Sequence, residues 1–135
     1  MLGSAQFGNT LVIADLEAGI GTLTRLDAGT VDVVVVVVEP TPRSIDVAQR
    51  CVELASERSQ GRILIVANRI TDPDDEARIR AAFPATDSVV VPYDTSIGDA
   101  DRAGLSPLDT APESPAVLAL LGLVDRVTPD PPSTR

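Results

Sequence analysis

One stretch of this sequence places a carboxylate and a glycine where metal or phosphate chemistry could use them. Leu11 to Ala14 is an unbroken apolar run, Asp15 follows it, and Ala18-Gly19 comes shortly after. A short apolar run predicts a buried strand with Asp15 at its end. A carboxylate there can hold Mg²⁺ through water, and a glycine lets a backbone amide approach a ligand oxygen. The alternative is that Asp15 only caps the turn that follows.

Three more apolar runs predict the strands of a sheet beside this one, at residues 31–38, 63–67 and 89–91. Segments with helical spacing lie between and after them, and three open on a capping residue followed by proline: Thr41-Pro42, Asp72-Pro73 and Ser114-Pro115. Strands that alternate with helices predict a parallel sheet. The predicted fold is therefore α/β, with three layers and a mostly parallel sheet of about four strands flanked by helices.

The clearest strand is the run from Val31 to Val38, in which only Asp32 is polar. Six successive valines do not sort into an inner and an outer face. We therefore expect helices to cover both faces of this strand, as they do for a central strand of a layered α/β fold.

The rest of the chain suggests a single domain with irregular ends. We expect residues 1–10 to be irregular or disordered, residues 11–127 to form one α/β domain, and residues 128–135 to be a flexible tail. Between Asp94 and Glu113 the sequence is polar and rich in turn residues, which predicts a long loop with one helical turn around residues 97–103.

Composition excludes several classes of function. The net charge is −9, which disfavours binding to nucleic acid or to anionic membranes. With no histidine and one cysteine, Cys51, the chain offers no histidine-based nucleophile system, no disulfide and no four-cysteine zinc site. All eleven basic residues are arginine, so the chain has no lysine. It shows no secretory signal and no apolar run that could span a bilayer, and we expect a cytoplasmic protein.

Ligands of open α/β sheets bind beyond the carboxyl ends of the strands. Polar groups follow all four predicted strands at this edge: Asp15, Glu39-Pro40, Asn68-Arg69 and Pro92-Tyr93-Asp94. Every strand must leave the core through polar residues, so each group taken singly also has a purely structural explanation.

The order and spacing of these motifs resemble the second half of a P-loop ATPase of the MinD/ParA type (SIMIBI class). The resemblance covers residues 11–127 and is closest to the branch of carbon-monoxide-dehydrogenase maturation ATPases. It rests on these segments: Asp15-x-x-Ala18-Gly19, Glu39-Pro40-Thr41 after the valine strand, Val66-Ala-Asn68-Arg69, Val91-Pro92-Tyr93-Asp94, and the run from Ala100 to Pro107.

The resemblance implies ATP and Mg²⁺ as cofactors and a role for each motif. Asp15 resembles the aspartate that holds Mg²⁺ indirectly, and Gly19 resembles the switch glycine whose amide meets the γ-phosphate. Asn68 resembles the asparagine that reads adenine, with Arg69 beside it. Pro92, Tyr93 and Asp94 resemble the loop that closes over the base.

The resemblance stops short of a complete ATPase. The family begins with a glycine-rich P-loop that carries a lysine, and these 135 residues contain neither. One interpretation is a truncated or split ATP-binding domain, inactive alone, which acts as a homodimer or with a partner chain that supplies the P-loop. A second is a non-enzymatic interaction module that binds through an incomplete sheet edge. A phospho-receiver domain with Asp15 as acceptor is a third, but its usual lysine and acidic pair are missing.

Overall fold

The computed structural model describes residues 11–16, 31–58 and 61–128. Within them, strands and helices alternate from β1 onward, and the last three elements are all helices. In chain order the elements are β1 (Val33–Val38), α1 (Pro42–Glu57), β2 (Arg62–Ile70), α2 (Pro73–Ala82), β3 (Asp87–Pro92), α3 (Thr95–Ala103), α4 (Pro107–Thr110) and α5 (Pro115–Val127).

The helices begin where capping side chains and prolines place them. Thr41 accepts a hydrogen bond from the Ser44 amide at 3.3 Å, and Asp72 accepts one from the Asp75 amide at 2.9 Å. Proline occupies the first helical turn of α1, α2, α4 and α5, where its missing N–H costs nothing. The three predicted helix starts are confirmed.

Strand β2 lies in the middle of a three-stranded parallel sheet with the order β1-β2-β3. On one side, its register with β1 runs from Val33 opposite Arg62 to Val38 opposite Ala67. On the other side, Leu64 to Ala67 pair with residues 87–90 of β3. The predicted α/β class with a parallel sheet flanked by helices is confirmed.

Helices cover the sheet from both sides, which produces three layers. Helices α1 and α2 pack on the face that carries alternate β1 valines, in a cluster of Val34, Val36, Val38, Ala48, Ala55, Ile65, Ala67, Ile70, Ile79 and Phe83. Helix α5 packs on the opposite face against β3, where Ala116 joins Val66 and Val91. The core is thus built almost entirely from aliphatic side chains.

The prediction that the valine strand is central, with both faces covered, is wrong. Val34, Val36 and Val38 are buried, but Val35 is 39% and Val37 is 59% exposed. A helix is about 10 Å across and strands lie about 4.8 Å apart, so a single helix covers two strands. Helix α5 covers β2 and β3, and among the described residues no element covers the outer face of β1.

The prediction of a buried strand at Leu11–Ala14 is also wrong. Residues 11–16 have no regular secondary structure, and Ile13 is 82% exposed. A strand requires a hydrogen-bonded neighbour, and the described sheet has three strands, none of which pairs with this segment. Leu16 alone packs against the main core cluster.

The polar connection after β3 is more regular than predicted. Instead of one helical turn it contains helices α3 and α4, and α3 ends at Gly104, whose φ of 66° is left-handed. The Leu105 amide donates to the Ala100 carbonyl at 2.9 Å and closes that helix end. No helix in the described part of the chain has the length and apolar character needed to cross a membrane. The predictions for residues 1–10 and 129–135 fall outside the described residues.

Two neighbouring valines of β1 test the edge position of this strand. We expect Val38→Ala to lower the free energy of unfolding by roughly 2–3 kcal/mol, because Val38 is fully buried between sheet and helix. The same change at the exposed Val37 should cost less than about 1 kcal/mol. Urea denaturation followed by circular dichroism measures both. Equal losses would contradict the edge position, since a strand covered on both faces would lose similar packing at each.

Candidate functional site

The carboxyl edge of the sheet has an irregularity in β2 at two of the predicted site residues. Ala67 pairs with Val90 and Ile70 pairs with Pro92, so β2 carries one residue more than β3 over this interval. Asn68 and Arg69 occupy it, and the strand continues to Ile70 rather than ending at Ala67 as predicted. Such bulges redirect side chains and are common beside functional sites.

Arg69 has a left-handed backbone, with φ of 58°. For a residue with a side chain this conformation costs about 1–2 kcal/mol relative to the right-handed region. Among the described residues it is the one non-glycine residue with positive φ. Strain of this kind persists where the surrounding structure enforces it, and it is concentrated at functional sites.

The Arg69 side chain lies between residues from the two neighbouring strand ends. Its guanidinium carbon is 5.9 Å from the centre of the Tyr93 ring, and its Nη1 is 3.4 Å from Oε1 of Glu39. The Tyr93 amide donates to the Ile70 carbonyl at 2.8 Å, which ties the start of the next loop to β2. The structure therefore brings Arg69 and Tyr93 together at the edge where the sequence predicts a ligand.

Asn68 lies on the same bulge and is partly buried. Within the described part of the chain no hydrogen-bond partner of its amide group is found. A carboxamide presents both a donor and an acceptor, the pair of groups that can read the edge of a nucleobase. Its position is compatible with the predicted contact to adenine.

Asp94 joins two helices to the end of β3. Its carboxylate accepts hydrogen bonds from the Ser96 hydroxyl at 2.6 Å and the Ser96 amide at 3.0 Å, at the start of α3. It also accepts one from the Ala116 amide at 3.3 Å, in the first turn of α5. These donors lower the pKa of Asp94 from 3.8 to about 2. The Asp94 carboxylate therefore fixes the chain that follows Tyr93 to the starts of α3 and α5. This structural role is separate from its predicted role in base binding.

The two residues predicted to act at the phosphate end are not joined to this group. Asp15 is exposed in the irregular segment 11–16, and Gly19 lies outside the described residues. In the described ranges, no three acidic, cysteine or histidine side chains cluster in a way that could hold a metal ion. The assignment of Asp15 to Mg²⁺ and of Gly19 to the γ-phosphate stays a prediction.

Glu39 is the residue at this edge whose role the sequence reasoning missed. Its position after the valine strand was evident, but its contact with Arg69 was not, because the two residues are 30 positions apart. The Glu39 amide donates to Oγ of Ser44 at 2.9 Å, which anchors the backbone of Glu39 to α1. Two concavities in the described part of the chain lie elsewhere, one between α3 and α4 and one at the opposite end of the sheet.

The carboxylate of Asp94 makes a pH-dependent contribution to stability. Because its folded pKa is lowered to about 2, the contribution is fully present above pH 4 and is lost as the pH falls towards 2. Asp94→Asn should lower the thermal midpoint at pH 6, and the difference from the unsubstituted protein should shrink steadily between pH 4 and pH 2. Calorimetry across this range measures the effect.

The substitution Asp101→Asn, at an exposed carboxylate of the same helix, is the control and should change the midpoint little. The pKa values of Asp75 and Asp87 are also lowered, by the Thr71 hydroxyl and by Arg126 respectively, so the unsubstituted protein loses stability in acid as well. The difference in thermal midpoint between Asp94→Asn and the unsubstituted protein therefore reports the contribution of Asp94 alone. A difference that stays constant down to pH 2 would contradict this assignment.

Comparison with known proteins shows that the chain is similar to an accessory protein and, over a shorter stretch, to an ATP-binding protein. It is 34% identical over 121 residues to the carbon monoxide dehydrogenase accessory protein CooC of Rhodospirillum rubrum, covering 87% of this chain and 46% of that protein. It is 35% identical over 66 residues to an uncharacterised ATP-binding protein of Methanocaldococcus jannaschii, covering 49% of this chain and 26% of that protein. No protein-family model matches the chain.

The chain spans less than half the length of the curated relatives it matches. Its similarity to CooC extends over most of its own length and thus includes much of the sheet described above. By sequence, the chain is therefore related to part of a carbon monoxide dehydrogenase accessory protein and, over a shorter stretch, to part of an ATP-binding protein.

Proposed function

We propose that this chain binds the base of an adenine nucleotide at the carboxyl edge of β2 and β3, as one part of a CooC-like ATP-binding domain of the MinD/ParA type. The observation that carries the proposal is the convergence of Asn68, Arg69 and Tyr93 at this edge. The similarity to an ATP-binding protein supports the same ligand. The expected location is the cytoplasm.

The residues present fit the base better than the triphosphate. Phosphates are usually bound by a glycine-rich loop with a lysine, and these 135 residues contain no lysine. Arg69, a basic residue at this edge, is already paired with Glu39. In the proposed arrangement Asp15 would hold Mg²⁺ through water and the Gly19 amide would meet the γ-phosphate, but a P-loop from a second polypeptide segment would still be needed. The chain by itself is therefore proposed to be inactive in ATP hydrolysis.

Adenosine binding tests the proposed function. We expect the purified chain to bind adenosine more tightly than guanosine, and Asn68→Ala to weaken adenosine binding by about ten-fold through the loss of hydrogen bonds to the base. Equilibrium dialysis measures the affinities. Gln49→Ala is the matched control, because Gln49 carries the same amide group but uses it between α1 and α2, 3.4 Å from the Ala82 carbonyl. Affinity that is unchanged in Asn68→Ala would contradict the assignment of Asn68.

Phosphate release in the presence of Mg²⁺ and ATP tests the proposed inactivity of the chain alone. Clear hydrolysis that disappears in Asp15→Ala would contradict it, since the chain would then hold a complete catalytic site.

The open side of β1 favours a second candidate function, an interaction module. The exposed Val35 and Val37 form an apolar face, and the outer edge of Val33–Val38 is unpaired with any described strand. Edges of this kind recruit further strands. A second copy of the chain is the simplest occupant, because antiparallel pairing of β1 with itself uses the same edge on both molecules.

Light scattering after size-exclusion chromatography tests this module. We expect a dimer that dissociates when Val37→Lys places a charge on the edge, whereas Val47→Lys, at another exposed valine on α1, leaves it intact. Symmetric pairing brings Asp32 near Glu39 of the other copy, so salt should strengthen the dimer by screening their repulsion. A monomer at all concentrations would contradict this self-association.

A further inference from the structure

Helix α5 is apolar on every side along most of its length. From Pro115 to Val124 no residue has a polar side chain. A helix of this composition is normally covered all round. The sheet covers one side, on which Ala116 is buried and Ala119 and Leu123 pack against the same cluster. This contact accounts for only part of the apolar surface of α5.

The side of α5 that faces away from the sheet is exposed. An α-helix has about 3.6 residues per turn, so residues three, four and seven positions apart share one line along its surface. The line opposite the sheet contact, here named the outer stripe, contains Leu118, Leu121, Gly122 and Asp125. Leu118 is 54% and Leu121 is 46% exposed. Gly122 and Asp125 are exposed as well, so the whole outer stripe is accessible.

Gly122 has no evident role within the described part of the chain. Glycine inside a helix lowers its stability relative to alanine. A Cβ atom at Gly122 would meet no described atom within 4 Å, so alanine would fit there. What glycine does provide is a hollow in the helix surface, at which the backbone of a second helix can approach closely.

The outer stripe is complementary to itself. The Leu121 side chain projects beside the hollow at Gly122. A twofold axis that crosses α5 between these two residues would place Leu121 of each copy over Gly122 of the other. Two copies of this helix face therefore fit together without any further partner.

The distribution of charge also favours a second copy at this place. The chain has a net charge of −9, which makes two copies repel each other in general, but the apolar part of α5 carries none of that charge. The same twofold axis places the exposed Asp125 beside the first turn of the other copy's α5. The helix dipole favours a negative charge at that end of a helix.

We propose that α5 pairs in antiparallel orientation with α5 of a second copy through the outer stripe. One helix face from each copy buries less than the roughly 1,200 Å² of a stable interface, so we expect a weak dimer with a Kd of about 0.1–1 mM. At the dilution of size-exclusion chromatography such a contact is largely empty. The contact involves neither the nucleotide edge nor the open edge of β1, and it rests on neither of those proposals.

Sedimentation equilibrium of the Val37→Lys protein tests the pairing, because this substitution removes any association through β1. Between about 10 µM and about 1 mM, a range that reaches the expected Kd, we expect a reversible monomer–dimer equilibrium. Adding Leu121→Lys should weaken it more than ten-fold, since two like charges then meet near the axis. Leu108→Lys, at a leucine of α4 that is 55% exposed, is the matched control and should leave it unchanged.

A second variant separates pairing from folding. Gly122→Ala should raise the thermal midpoint by about 2–5 °C, because alanine favours the helix. It should also weaken the dimer by about ten-fold, because it places two Cβ atoms at the point of closest approach. Gly98→Ala, inside α3, is the control: its Cβ would meet only Arg102, at 3.6 Å, so it should raise the midpoint without changing the association.

Disulfide formation tests the orientation of the two helices. Cys51 is the sole cysteine of the chain, so Cys51→Ala provides a background for Leu118→Cys and Asp125→Cys. In the antiparallel pair a mixture of these two variants should form a mixed disulfide. Neither variant should link to itself, because equivalent positions then lie about 10 Å apart along the helices, too far for a disulfide. A parallel pair would give the reverse pattern.

Every outcome of these experiments decides for or against the pairing. Association that is lost in both α5 variants, retained in both controls and captured as the mixed disulfide supports it. A monomer throughout the concentration range overturns it and leaves the nucleotide and β1 proposals untouched. If Leu121→Lys instead lowers the thermal midpoint of that monomer, the outer stripe is covered by another part of the same chain. Association that survives Leu121→Lys also overturns the pairing, since another surface must then be responsible.

Discussion

Burial of β2 is the constraint on which the rest of the molecule depends. Leu64, Ile65, Val66 and Ala67 are each 3% exposed or less, and both edges of the strand are hydrogen-bonded to neighbours. Their side chains point alternately to the two faces, so helices are required on both sides. Helices α1 and α2 meet this need on one face and α5 meets it on the other. The three-layer arrangement follows because the middle residues of β2 are buried on both faces of the sheet.

The same strand determines the geometry of the candidate site. Where its buried part ends, β2 takes one residue more than β3, and Arg69 enters a conformation that a side chain disfavours. Because β1 and β3 are in register with β2, their carboxyl ends bring Glu39 and Tyr93 to the two sides of Arg69. The sheet thus places Glu39 and Tyr93, which come from distant positions in the sequence, each beside the Arg69 side chain.

Much of the fold could be predicted because its signals are local. Threonine, aspartate or serine followed by proline marks helix starts at Thr41, Asp72 and Ser114, since the capping bond and the proline conformation both lie within one turn. Ser106-Pro107 carries the same signal at the start of α4, yet the polar composition around it favoured a loop. The position of β1 was predicted wrongly, because a run of valines indicates burial without indicating whether a helix is available for each face. The prediction of a strand at Leu11–Ala14 was wrong for a similar reason, since an apolar run does not specify which strand would pair with it.

The sequence by itself determined the alternation of strands and helices, the positions of most helix starts, and an acidic chain without lysine or histidine. It also placed Asn68, Arg69 and Tyr93 at strand ends, where ligands of parallel sheets bind. Only the tertiary structure decided that β2 is the central strand, that Arg69 is left-handed and that Glu39 contacts it. These features depend on which strands become neighbours and on how many residues each contributes between paired positions. Such relations are non-local, and no pattern within a short window of residues contains them.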